Sequence, residues 1–260
     1  MSRDILSLTA IGFSFASGAP VLRDVDLVAA PGTVTVVQGV NGSGKTTLLR
    51  VAAGILRPTA GSVVRPRCVR YQPQAADDPP PAITSAAWLT AMARMSGERD
   101  ATPALELLEE LGVRRELPLD KASRGTVSKV LVAAALAGPA GLVVLDEPFA
   151  ALDTTARDTV AGMVRAAADA GSAVVLTMHD DGIDVGATAT MRVEDGRLVA
   201  VAAGGPEADR VAGSGPTWRI VVRPVGGTPQ AFVVDAGARD SFLRKALESG
   251  AEVLHVQRSP

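Results

Sequence analysis

The sequence predicts an α/β domain built on a buried sheet, followed by a small α/β appendage. Three observations carry that prediction. A β-rich run, Thr33 to Gln38, leads through Gly39-Val40-Asn41-Gly42-Ser43-Gly44-Lys45-Thr46-Thr47 into an apolar helical pattern at Leu48, Leu49, Val51 and Ala52. A wholly apolar run, Leu142 to Leu145, ends in Asp146-Glu147-Pro148, and a second, Ala173 to Met178, ends in His179-Asp180. Polar residues at the C-terminal ends of such strands stand where open parallel sheets hold ligands.

In chain order, Leu6 to Phe15 and Val21 to Ala29 read as strands around the turn Ala16-Ser17-Gly18-Ala19-Pro20. Phe13 and Phe15 lie two apart and share one strand face, so one of the two rings is free to leave the core. After the glycine-rich loop the helix stops at Gly54, and Val63 to Tyr71 reads as a single strand running into Gln72-Pro73-Gln74. Asp77-Asp78-Pro79-Pro80-Pro81 is too proline-rich for regular structure. Trp88, Leu89, Met92 and Met95 then recur at helical spacing, with Thr84 as N-cap and Gly97 as stop, and Leu105, Leu108 and Leu111 mark another helix. The stretch from about Ala75 to Lys121 is thus a helical insert, and its Met and Trp stripe reads as core.

A long helix follows through Val127, Val130, Leu131, Ala134 and Leu136, ended by Pro139 and Gly141. Asp153 caps a helix with Val160, Met163 and Val164 on its apolar face, closing at Gly171. Met191 to Val193 and Leu198 to Val201 form a hairpin around Asp195-Gly196. Beyond Gly204, strands at Trp218 to Arg223, Ala231 to Asp235 and Glu252 to Val256, with a helix over Phe242 to Leu247, make up the appendage. The expected division is 1–203 and 204–260.

Composition bounds the function. The chain has 260 residues, 47% of them hydrophobic, and 26 Lys and Arg against 28 Asp and Glu, for a net charge of -2. No basic excess favours bulk nucleic-acid binding, and no nucleic acid is expected as a partner. The single Cys68 excludes an internal disulfide framework and reads as a small buried apolar residue. MSRDILSLTA has no apolar core of signal-peptide length, and no run approaches the roughly 18 apolar residues that span a bilayer. The chain is expected to be soluble and to meet a membrane only through a partner.

The glycine-rich loop is a phosphate cradle. Its backbone N–H groups and the N-terminus of the following helix concentrate positive partial charge at one point. Lys45 adds a charge towards the β- and γ-phosphates, and the Thr46 hydroxyl is placed to ligate Mg²⁺, as the G-x-x-x-x-G-K-[ST] pattern requires. Of the two carboxylates after Leu145, one can hold Mg²⁺ and the other can polarise an attacking water. His179, at the tip of the next apolar strand, can reach the γ-phosphate.

In this order the motifs resemble the ATP-binding cassette ATPases over roughly residues 5 to 203. GVNGSGKTT stands as Walker A, Gln74 as the Q-loop glutamine, Ser123 and Gly125 at the signature position, VVLDEP as Walker B, Ala150-Ala151-Leu152-Asp153 as the D-loop and His179 as the switch histidine. The resemblance implies a P-loop NTPase cassette: a RecA-like core with an antiparallel β subdomain and the helical insert. It implies ATP and Mg²⁺ as ligands, with Gly39, Asn41, Gly42, Ser43, Gly44, Lys45, Thr46 and Thr47 around the phosphates and Phe15 stacked on adenine. Thr46, Gln74 and Asp146 are implied as the metal set, and Glu147, His179 and Gln74 as the catalytic set. A head-to-tail dimer, a homodimer in the simplest case, would bring Ser123, Gly125 and Asp153 to the partner's nucleotide. The usual Leu-Ser-Gly-Gly-Gln is here Ala122-Ser123-Arg124-Gly125-Thr126.

The leading expectation is therefore the ATPase subunit of a bacterial exporter of a small molecule or lipid. It would drive a separate membrane permease from the cytoplasmic face, with export favoured because a similar appendage follows the cassette in many drug and lipid exporters. An importer ATPase, or a cassette acting on nucleic acid or the ribosome, are the alternatives. The second lacks support from a paired cassette or a long coiled coil.

Overall fold

The computed structural model describes residues 6–16, 18–74, 82–178, 182–201, 217–223, 230–235, 243–244, 247 and 252–258. The chain divides into two compact units, Met1–Val199 and Ala200–Pro260.

The first unit holds two sheets. A three-stranded antiparallel sheet has the order β2-β1-β4, from β1 (Leu6–Phe13), β2 (Leu22–Ala29) and β4 (Ala60–Val64). A six-stranded sheet has the order β5-β6-β7-β3-β8-β9, from β3 (Val34–Gln38), β5 (Val69–Gln72), β6 (Leu142–Leu145), β7 (Ala173–Thr177), β8 (Ala189–Glu194) and β9 (Arg197–Val201). Every pair from β5 to β8 in that order is parallel. The turn between β8 and β9 has Asp195 and Gly196 at φ 48 and 76, the twist that a two-residue hairpin needs.

The single strand expected over Val63 to Tyr71 is two. Pro66 lies between β4 and β5 and has no N–H to continue a ladder, so the chain leaves one sheet and enters the other.

Five α-helices are described: α1 (Lys45–Ala53), α2 (Ser85–Met95), α3 (Thr102–Glu110), α4 (Arg124–Leu136) and α5 (Thr154–Asp169). Three begin on a side-chain cap that satisfies an otherwise orphaned N–H. Thr84 accepts from Ala87 N at 3.2 Å, Ser123 from Thr126 N at 3.1 Å, and Asp153 from Ala156 N at 2.8 Å. Leu89 and Leu108 are fully buried, but Met95 is 79% exposed, so the methionine stripe of the insert is only partly core. Cys68, expected inside, is exposed.

The central sheet separates two apolar layers because side chains alternate along a strand. Val174 and Leu176 of β7 pack with Val143 and Leu145 of β6 and with Leu89, Leu108, Val132 and Val160 of the helices. Ala173 and Val175, with Leu142 and Val144, pack on the other face with Leu48 and Leu49 of α1 and with Leu8, Ile11 and Val25 of the antiparallel sheet. Each fully buried leucine contributes about 1.5–3 kcal/mol of transfer free energy, so α1 is clamped between two sheets and its N-terminus is held at the strand ends.

In the second unit, β10 (Thr217–Arg223), β11 (Gln230–Asp235) and β12 (Glu252–Arg258) form an antiparallel sheet in the order β11-β10-β12. The helix expected over Phe242 to Leu247 lies mostly outside the described residues.

Arg70 of β5 ties the sheet to the insert. Its side chain is 9% exposed, its Nη1 donates to Ala134 O of α4 at 3.0 Å, and its Nη2 pairs with Glu98, between α2 and α3. Burial pulls its pKa below the ordinary arginine value. Removing one partner of a buried charge leaves the other uncompensated, whereas replacing the cation itself removes the desolvation cost too. Glu98→Ala should thus lower the urea midpoint by the equivalent of about 1–3 kcal/mol, and Arg70→Met by less. Equal midpoints for Glu98→Ala and wild type would contradict this tie.

Candidate functional site

The loop between β3 and α1 closes on itself through Lys45. Its Nζ donates to Gly39 O at 2.8 Å and Val40 O at 3.1 Å, and the residue is 6% exposed. The ammonium is thus held inside the loop before any anion arrives, its remaining donor capacity directed by two fixed carbonyls. Gly39 sits at φ 145, and a Cβ there would lie 2.8 Å from both Ser43 Oγ and Val193 O. No other residue would let the chain turn at this point.

An open cleft of about 510 Å³ lies over the loop, lined by Phe15, Val21, Asn41, Gly42, Gly44, Lys45, Thr46, Thr47, Gln74 and Glu147. The two rings have parted: Phe13 is 7% exposed in the core, while Phe15 is 54% exposed at the cleft, edge-on to Phe13 with centroids 5.0 Å apart. The fixed Phe13 ring thereby braces an exposed aromatic surface at the cleft rim.

The acids stand at the end of β6. Asp146 is 1% exposed and accepts from the Thr177 hydroxyl at 2.9 Å through Oδ1, while its buried Oδ2 has no hydrogen-bond partner among the described residues. Burying a carboxylate oxygen unpaired is costly, and a hard oxygen donor of this kind suits a small divalent cation such as Mg²⁺; Asp146 itself is not among the residues lining the cleft. The residues present fit that ion. Glu147 has φ 51, its N–H donates to Thr177 Oγ1 at 2.7 Å, and its Oε2 accepts from Gln74 Nε2 at 2.7 Å. Positive φ on a non-glycine residue is strained and clusters at functional sites. Gln72, buried just before, spans Pro73 O and Asp146 O with its amide nitrogen.

Not every expected site residue reaches this cleft. Gly39 and Ser43 shape the loop without lining it, and Ser43 Oγ is buried and unpartnered among the described residues. Ser123, Gly125 and Asp153 also lie outside the lining. Ser123 and Asp153 cap helices, and Asp153, exposed, has its pKa lowered by the Ala156 N–H, with Lys129 Nζ at 3.7 Å adding a smaller effect. Gly125 has a reason within the chain: a Cβ there would come 2.4 Å from Ala151 O, so α4 and the turn before α5 can meet only over a hydrogen. Arg124, in the altered signature, is exposed at the first position of α4. His179 lies outside the described residues. Motif spacing alone did not single out Thr177 or Gln72 as site residues. For Thr177 the available signal was a polar residue closing an otherwise apolar strand.

A glycine-rich loop feeding a helix, with two acids on a nearby parallel strand, defines a binding site for the phosphates of a nucleotide. The ABC transporter family profile matches residues 22–150. A zinc import ATP-binding protein, ZnuC, of Pseudomonas fluorescens is 37% identical over 158 residues, 59% of this chain and 59% of that protein. A cytochrome c biogenesis ATP-binding export protein, CcmA, of Hyphomonas neptunium is 31% identical over 191 residues, 71% of this chain and 96% of that protein. Among solved structures, a dimeric ATP-binding cassette in a post-hydrolysis state bound to ADP and Pi superposes with a TM-score of 0.68 at 19% identity, covering 77% of this chain and all of that one. The chain belongs to the ABC transporter family. It spans about three-fifths of the length of the zinc-import relative.

With Phe15 at the rim and Phe13 in the core, Phe15→Ala should weaken binding of an adenine nucleotide by about 1–3 kcal/mol, the worth of one stacked base, and leave inorganic triphosphate unaffected. Phe13→Ala should instead lower thermal stability. Competition titrations with both ligands check this, and loss of triphosphate binding in Phe15→Ala would contradict it.

Proposed function

We propose that this chain is the ATP-binding and ATP-hydrolysing subunit of an ABC transporter, acting on a separate membrane-spanning permease from the cytoplasmic face. The carrying observation is the meeting of Lys45, Thr46, Gln74 and Glu147 in one cleft, with Asp146, the residue before Glu147, buried. No described helix is long and apolar enough to cross a membrane, which is consistent with a role exercised through a partner. Residues 1–203 are taken as the cassette and 204–260 as an accessory unit.

In this reading the α1 N-terminus and the loop N–H groups bind the triphosphate, Lys45 neutralises its terminal charge, and Phe15 orients the base. Thr46, Asp146 and Gln74 would hold Mg²⁺, which supplies charge neutralisation on the β- and γ-phosphates when bound. Glu147 takes the proton of an attacking water, and Gln74 sets the direction of its carboxylate through the 2.7 Å hydrogen bond. A second copy, set head to tail, would add Ser123, Gly125 and Asp153 to complete each site, and His179 would face the terminal phosphate. Support for a dimer comes from the dimeric cassette with which the fold superposes.

The preference for export drawn from the appendage finds no support in the zinc-import relative. That protein, at 37% identity, is a zinc import ATP-binding protein, so import is the direction we favour. Export is the second reading, favoured by the CcmA relative that the chain matches over 96% of its length.

Lys45→Ala should abolish ATP binding, because the loop loses the cation its carbonyls hold. Glu147→Gln should keep binding and lower turnover at least about 100-fold, the usual contribution of a placed general base. Nucleotide titration and phosphate release on the purified chain, with its permease where turnover requires it, measure both. Wild-type hydrolysis by Glu147→Gln would contradict the assignment.

A further inference from the structure

Thr177 closes β7 on the face that also carries Ala173 and Val175, and it is fully buried. Leu145 pairs with Leu176 across β6 and β7, so the next step of the two parallel strands sets Asp146 beside Thr177. On the other side Thr177 pairs with Val37, the residue before Gln38 at the start of the phosphate loop. A valine would satisfy this apolar face as well as its neighbours do. The hydroxyl is what the position adds, and both of its capacities are used: it donates to Asp146 Oδ1 at 2.9 Å and accepts from Glu147 N–H at 2.7 Å.

We propose that Thr177 is a positioning residue for hydrolysis, fixing through one hydroxyl both the orientation of the Asp146 carboxylate and the backbone of Glu147. It is absent from the cleft lining and acts only through the two acids. With Oδ1 committed to Thr177, the Asp146 oxygen left buried and without a hydrogen-bond partner among the described residues is Oδ2, so the hydroxyl decides which oxygen is presented to a divalent cation. Glu147 stands at φ 51, a conformation that a non-glycine residue keeps only when its surroundings over-determine it. The bond from its N–H to Thr177 is one such restraint, and the Gln74 bond to its carboxylate is another. Asp146 and Glu147 need separate roles at adjacent positions, and one hydroxyl that accepts from the second backbone and donates to the first side chain holds them apart. This inference rests on the hydrolytic reading of those two acids.

The test compares Thr177→Val and Thr177→Ser with the wild-type chain in three measurements: amide exchange of the peptide containing Glu147 without nucleotide, Mg²⁺ dependence of nucleotide binding, and steady-state hydrolysis. Thr177→Val should speed exchange of the Glu147 amide, weaken the Mg²⁺ dependence, and lower kcat about 10- to 100-fold, the usual effect of losing an outer-shell partner. Thr177→Ser should restore all three. Wild-type exchange and kcat in Thr177→Val overturn the proposal. So does an equal loss in both variants, which would mark the site as sensitive to packing and indifferent to the hydroxyl. If the wild-type chain hydrolyses no ATP, the hydrolytic reading fails on its own, while exchange and Mg²⁺ dependence, measured without turnover, still decide whether Thr177 holds the two acids.

Discussion

A buried carboxylate with one oxygen paired and the other left over is the constraint around which this structure is arranged. Asp146 is removed from water almost completely, and among the described residues only the Thr177 hydroxyl reaches its Oδ1. An isolated buried carboxylate is too costly to keep unless something compensates it. The next residue, Glu147, lines the cleft above the phosphate loop together with Thr46 and Lys45 of the α1 N-terminus. In the proposed reading, a cation bound together with the nucleotide's phosphates compensates that charge.

The strand order makes that geometry possible. Between β3, which feeds the loop, and β6, which ends in the acids, the sheet places β7. The loop and the acids are thus separated by one intervening strand, each step of the sheet being roughly 4.8 Å, and Thr177 fills the gap. Packing keeps the spacing fixed: α1 lies between the central sheet and the antiparallel sheet, with Leu48, Leu49 and Val51 fully buried. The insert is attached differently. It packs through Leu89 and Leu108 and is tied to β5 by the Arg70–Glu98 pair, so it meets the sheet on the face away from α1.

Much of the fold was legible because its signals are local. The glycine-rich loop, the caps Thr84 and Asp153, and the apolar runs at Leu142 and Ala173 each declare themselves within a few residues. What the sequence could not show was non-local. The division of the Val63 to Tyr71 stretch between two sheets depends on which partners each half finds, and Pro66 was the only local hint. The exposure of Met95 and Cys68 depends on where the insert and the β5 entry end. The same holds in the site: Lys45, Thr46 and the acids follow from their motifs, but Thr177 gains its role from the register of β6 and β7, and Gly125 from its approach to Ala151. The resemblance located Ser123, Gly125 and Asp153 by motif, and within one chain they lie away from the cleft.

The most direct measurement is an equilibrium titration of the wild-type chain and of Asp146→Asn with ATP, with and without Mg²⁺. One nucleotide per wild-type chain, bound more tightly when Mg²⁺ is present, with that gain lost in Asp146→Asn, is the predicted result. Equal affinity in all four conditions would show that Asp146 and the loop do not form one site, and the account built on them would fall.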